Sequence, residues 1–157
     1  MAAPYHGHCL CGAIRYRVTA EPLTYYACHC TDCQRRTGAA FGLSMLVKQE
    51  AIELLQGETV PYTATLRDGR IKAGRMCATC GTRLWGGLDG RAVRVLQPGT
   101  LEGPTGLAPI AHQWMSEAQP WVVLPDGTRR YEKSPADPME MVKLWREAHP
   151  RPPPKAD

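Results

Sequence analysis

What this sequence lacks narrows it first. No stretch approaches the roughly eighteen consecutive apolar residues of a membrane-spanning helix, and residues 1–7 carry no apolar core of the kind a secretory signal needs. The expected location is therefore the cytoplasm, with no membrane partner. Aromatic side chains are scarce, with a single phenylalanine in 157 residues, whereas 15 glycines and 14 prolines punctuate the chain. That balance disfavours long helices and points to a mainly β chain of short strands joined by turns. A concentrated basic face is absent too: the formal charge is +4 with both signs interspersed, which does not indicate nucleic acid as a partner. The length suits one domain.

Cysteine, by contrast, is abundant. Seven occur, an odd number at close spacings, which in a reducing compartment reads as metal ligation and not as a disulfide framework. They divide as four plus three. Cys9 and Cys11 form a CxC pair followed by Gly12, and Cys77 and Cys80 form a CxxC pair followed by Gly81. Together these supply the four ligands of a closed, structural zinc site. Cys28, Cys30 and Cys33 lie within six residues and supply three ligands of a catalytic zinc whose remaining position stays open. Soft thiolates select zinc over magnesium or calcium, and the three-cysteine site lacks a fourth cysteine for an iron–sulfur cluster. One alternative treats all seven as inert scaffolding. Another closes the second site with His29, with His6, His8 and His112 as further candidate ligands.

The pattern around these motifs is strand-like. Residues 13–18 alternate apolar and basic, 23–27 lead into Cys28, 39–47 form an apolar run, and 52–55 form a shorter one, the last two expected in the core. Asp68-Gly69 and Asp89-Gly90 sit between strand-like runs as hairpin turns. Thr31 or Asp32 is placed to cap a short helical turn closing at Gly38, with free amides beside the three-cysteine site. Beyond Thr100 the chain is turn-rich and reads as irregular cover over a sheet. Asp137-Pro138 opens a short helix with Met141, Leu144 and Trp145 on one face, and residues 151–157 read as a frayed tail.

Three motifs in fixed order, from Gly7 to Tyr16, from Cys28 to Cys33 followed by Gly38, and from Cys77 to Arg83, make the sequence similar to the glutathione-dependent formaldehyde-activating enzyme (GFA) family, also called centromere protein V-like. Pro98 to Glu102, Pro109 to Trp114 and Pro120-Trp121 extend the resemblance, which spans about residues 6 to 135. Met76 departs from the phenylalanine common there in relatives, a packing change that leaves the ligands intact. The resemblance implies a β-tent of antiparallel sheets with zinc knuckles. It also implies two zinc ions, one on Cys9, Cys11, Cys77 and Cys80 and a catalytic one on Cys28, Cys30 and Cys33.

The implied activity condenses glutathione with formaldehyde to S-hydroxymethylglutathione, a carbon–sulfur lyase chemistry, so the expected partners are a small thiol and a small aldehyde. The alternative is a non-catalytic zinc scaffold that binds a macromolecule or carries glutathione. The expected organisation is a zinc-binding β domain over residues 1–135, a helix at 136–149 packed on it, and a tail at 150–157. Arg35 and Arg36 are the cations nearest in sequence to the open site and are candidates for the glutathione carboxylates. Trp114 and Trp121 either wall the pocket or lie in the core.

Overall fold

In the computed structural model, residues 3–103 and 106–150 are described; the start of the chain, residues 104–105 and the proline-rich tail at 151–157 lie outside the described residues. Among the described residues, eleven strands and two α-helices, with three single-turn 3-10 helices between them, are laid out in chain order. The strands are β1 (Tyr5–His8), β2 (Arg15–Val18), β3 (Thr24–Cys28), β4 (Gly42–Lys48), β5 (Ile52–Gln56), β6 (Thr59–Thr65), β7 (Ile71–Cys77), β8 (Arg83–Leu88), β9 (Val93–Leu96), β10 (His112–Gln113) and β11 (Arg130–Tyr131). The helices are α1 (Thr31–Thr37) and α2 (Glu140–Ala148).

A three-stranded sheet runs β1-β2-β5, and an eight-stranded sheet runs β11-β10-β3-β4-β9-β8-β7-β6. Most neighbours are antiparallel, but β10 pairs in parallel with both β3 and β11. The turn-rich segment after Thr100 is therefore more than cover, because two of its residues extend the larger sheet beside the strand that ends in Cys28. A two-residue strand is too short to show alternation, so sequence periodicity has no purchase on it. The chain is mainly β with a short C-terminal helix, and among the described residues no helix is long and apolar enough to cross a membrane.

The core lies between the two sheets. Tyr16 and Val18 from β2, Met45 and Val47 from β4, Leu84 from β8 and Leu96 from β9 are essentially inaccessible to solvent, and the Tyr16 and Trp85 rings meet edge to face at 5.4 Å. The run at 52–55 does not enter the core as a whole, since Leu54 and Leu55 stay about half exposed on the edge strand β5. On the other flank, α2 buries Met141, Val142 and Trp145 against β3. Leu144 is only half-buried, so the inward face is rotated towards Val142. The Thr24 hydroxyl donates to the Met141 carbonyl at 3.0 Å, and Trp145 meets Tyr25 edge to face at 6.3 Å, tying the helix to the same strand.

Candidate metal centres

Two knuckles bring the first cluster together. After β1 the chain turns so that the Gly12 amide donates to the Cys9 carbonyl, and after β7 it turns so that the Gly81 amide donates to the Cys77 carbonyl, both at 3.0 Å. Each turn needs a left-handed residue, supplied by Gly12 at φ 76° and Gly81 at φ 70°. The four sulfurs of Cys9, Cys11, Cys77 and Cys80 lie within 4.8 Å of one another. The Ile14 amide points at the Cys9 sulfur at 3.3 Å, and the Thr82 hydroxyl lies 3.1 Å from the Cys80 sulfur. That hydroxyl, followed by the Thr82 amide, lowers the Cys80 thiol to about 5. A tetrahedral zinc with sulfur bonds of about 2.3 Å would hold its sulfurs about 3.8 Å apart. The Cys11–Cys77 separation of 3.8 Å and the Cys9–Cys11 separation of 3.5 Å fit that cage. The cluster ties the three-stranded sheet at β1 to the eight-stranded sheet at β7.

The second cluster sits where β3 gives way to α1. The sulfurs of Cys28, Cys30 and Cys33 also lie within 4.8 Å of one another, with Cys28 and Cys30 at 3.4 Å. Cys30, not Thr31 or Asp32, is the residue that caps the helix, whereas Gly38 closes it at φ 67°. Backbone amides serve the sulfurs: that of Cys30 faces Cys28 and that of Cys33 faces Cys30. With only protons to share, three crowded thiols ionise unevenly. The S–H groups of Cys28 and Cys30 stabilise a thiolate on Cys33, holding it well below the ordinary thiol range, while the Cys28 thiol is pushed far up by Cys30 and then Cys33. A soft divalent cation removes that conflict, since all three sulfurs can then be anionic. The residues present therefore fit a metal ion by donor chemistry as well as spacing.

His29 does not complete this donor set. It turns into the protein with no solvent exposure, shares a hydrogen bond with His112 at 2.9 Å between Nε2 and Nδ1, and packs on Phe41 with ring centroids 4.9 Å apart. His6 and His8 are also outside both sulfur clusters. Nor are the amides at the start of α1 all free, because Glu117 accepts the Thr31 amide at 2.7 Å and its hydroxyl at 2.6 Å.

Glu117 is itself gripped by Arg67, which stands on the β6–β7 turn and lies over the Trp114 ring at 5.0 Å. Trp114 adopts a left-handed backbone at φ 61°, unusual for a bulky residue, directly after the strand that pairs with Cys28. Trp121 is in neither the core nor a wall, being 70% exposed. Arg35 faces solvent, and Arg36 turns inward. Sequence reading missed Arg67, Glu117 and two further cations, Lys72 on β7 and Arg83 on β8; their contacts join positions far apart in the chain and leave no local signature.

A protein-family model described as glutathione-dependent formaldehyde-activating enzyme matches residues 4–117. A crystal structure of a Rhodobacter sphaeroides protein is similar at 19% identity and a TM-score of 0.49, over 80% of this chain and 98% of that one.

Proposed function

The chain belongs to the glutathione-dependent formaldehyde-activating enzyme family, and we propose on that premise that it condenses glutathione, or a related thiol, with formaldehyde or another small aldehyde in a zinc-dependent, carbon–sulfur lyase type of reaction. The observation that carries this reading is the convergence of Cys28, Cys30 and Cys33, one donor short of a tetrahedron, beside a second cluster that is complete at four. In this reading Cys9, Cys11, Cys77 and Cys80 hold a structural ion, and Cys28, Cys30 and Cys33 hold the catalytic one. Zinc held by Cys28, Cys30 and Cys33 would supply acidification of the substrate thiol.

The condensation balances without any redox partner. The thiol loses its proton, its sulfur forms a bond to the carbonyl carbon, the carbonyl π pair moves onto oxygen, and that oxygen takes up a proton. The protein's own part is to hold thiol and aldehyde in attacking geometry, which is where most of the acceleration originates. Its rigidity serves that end: β3 is fixed between β4 and β10, and α1 is clasped by Glu117. The seven free cysteines suit a reducing, cytoplasmic setting.

Adduct formation from mixed glutathione and formaldehyde, followed by NMR, tests the proposal. The parent protein should accelerate it and Cys28→Ser should not. Equal rates for the two would reduce the protein to a carrier or scaffold.

A further inference from the structure

Beside the three-cysteine cluster the larger sheet presents a face built around two glycines. Tyr62, Gly74 and Gly86 are cross-strand neighbours on β6, β7 and β8. A Cβ at Gly74 would stand 2.6 Å from the Tyr62 ring, and one at Gly86 would stand 2.6 Å from its hydroxyl, so Tyr62 lies flat across both. Lys72 precedes Gly74 by two residues on β7 and shares this face. Arg83 joins them through a bulge. The register shifts between Arg75 and Met76, so that Trp85 pairs with Arg75 but Arg83 pairs with Met76. That shift brings Arg83 onto the face of Lys72 and Gly74, a re-aiming for which bulges are suited.

Arg36, in the last turn of α1, lies close enough to Lys72 and Arg83 to act electrostatically on both. Its Nη2 is buried and has no hydrogen-bond partner. Among the described residues, none of Arg36, Lys72 and Arg83 forms an ion pair with a carboxylate. Burial, followed by repulsion from Arg36, depresses both Lys72 and Arg83. These shifts agree with three cations converging near the sulfurs.

Three like charges held together, one with an orphaned buried N–H, are a costly arrangement unless an anion completes it. The thiolates account for only part of it. A divalent ion on three thiolates carries one net negative charge, which leaves two of the three cations unmatched. We propose that Arg36, Lys72 and Arg83 form an anion cradle that takes a carboxylate of the incoming thiol substrate, selecting acidic thiols over neutral or basic ones. This rests on the thiol-condensing reading above and adds to it the group by which the substrate is chosen. Arg36 offers a planar fork for the carboxylate and Lys72 a point charge, with the Tyr62 ring beneath.

The test uses the zinc-loaded protein, without aldehyde, and compares by calorimetry the binding of glutathione and of its dimethyl ester, which keeps the thiol and loses both negative charges. The parent protein should prefer glutathione by about tenfold or more. Arg36→Gln and Lys72→Gln should each shrink that preference severalfold, Lys72→Arg should restore it, and Arg146→Gln on the exposed side of α2 should leave it unchanged. Zinc content and thermal unfolding of every variant are measured alongside. An ester that binds as well as glutathione, or a preference that survives in the Gln variants, overturns the cradle. So does zinc loss in the Gln variants, which would make the cluster a counter-charge to the metal site. An intact preference with no rate acceleration fails only the enzymatic reading, and acceleration without preference fails only the cradle.

Discussion

Arg67 and Glu117, 50 positions apart in sequence, form a two-pronged ion pair at 2.9 and 2.5 Å. Glu117 simultaneously accepts the amide and hydroxyl of Thr31, the first residue of α1. One carboxylate thus joins the β6–β7 turn to the helix that carries Cys33. Asp32 adds to the clasp by accepting the Arg67 amide at 3.4 Å.

Breaking this clasp should loosen the three-cysteine site and spare the four-cysteine one. The Arg67 guanidinium, and then the Thr31 hydroxyl, hold the Glu117 carboxyl at about 2, below its ordinary 4.5. A depressed carboxyl stabilises the fold fully above its unfolded value, and that stabilisation fades as pH falls from about 4.5 towards 2. Water screens the pair, since the Arg67 side chain is 41% exposed. Glu117→Gln should therefore lower Tm by only a few degrees at neutral pH. The gap from the parent should close across that acid window. Thermal unfolding as a function of pH checks the sign: a gap that widens in acid contradicts the assignment.

Zinc stoichiometry divides the two clusters. The parent should hold two ions, Cys30→Ser one, and Cys30→Ser should remain folded because its knuckle follows the end of β3, a strand already secured by β4 and β10. Cys9→Ser, at a fully buried sulfur joining the two sheets, should cost the fold itself. Metal analysis with circular dichroism reads both outcomes, and a single ion in the parent protein would refute the four-plus-three division.

Much of this architecture is legible in the amino-acid sequence. The seven cysteines sort into two clusters because their spacing and flanking glycines dictate tight turns, which fold the same way wherever they occur. The strand runs around Tyr16, Tyr26, Met45 and Val95 are legible from composition and alternation, and Asp68-Gly69 does turn, with Gly69 at φ 82°. Three things are hidden. β1 is only four residues long with a glycine inside it, so it reads as the approach to Cys9. The parallel pairing of His112 and Gln113 with Ala27 and Cys28 depends on a chain returning over more than eighty residues. The grouping of Arg36 with Lys72 and Arg83 joins α1 to strands that follow it much later in the chain.

Gly42 sets the room beside Cys33. A Cβ there would stand 3.2 Å from Cys33 Cβ and 3.5 Å from its sulfur. Gly42→Ala requires Cys33 to yield by a few tenths of an ångström, and Gly42→Val requires more. Both should weaken zinc at the three-cysteine site in that order, measured by competition with a chromogenic chelator. Zinc release from the other cluster serves as the internal reference and should not change.

The pair of buried histidines behind the site should behave as structure. His29 has one ring nitrogen bonded to His112 and the other, Nδ1, buried without a partner. His112→Phe leaves both nitrogens unpaired in a site already lined by Phe41, at a cost of about 1–3 kcal/mol. Replacing both rings, as His29→Phe with His112→Phe, removes the stranded polar atoms and should recover part of that loss. Chemical denaturation of the single and double variants measures the coupling, and strict additivity would deny it.

The C-terminal helix lies beyond residues 4–117, the span matched by the family model, yet it covers β3, the strand that delivers Cys28. Trp145 is 3% exposed, meets Tyr25 edge to face, and stacks on His149 with centroids 3.8 Å apart. Trp145→Ala opens a cavity directly behind β3 and should destabilise the protein by about 3–5 kcal/mol. Because Thr24 also bonds to the Met141 backbone, detaching the helix exposes the strand whose far end carries the first sulfur of the open cluster. The expected signature is loss of zinc from that cluster at denaturant concentrations where the four-cysteine cluster still holds its ion. Simultaneous release of both ions would instead place α2 in one cooperative unit with the whole fold.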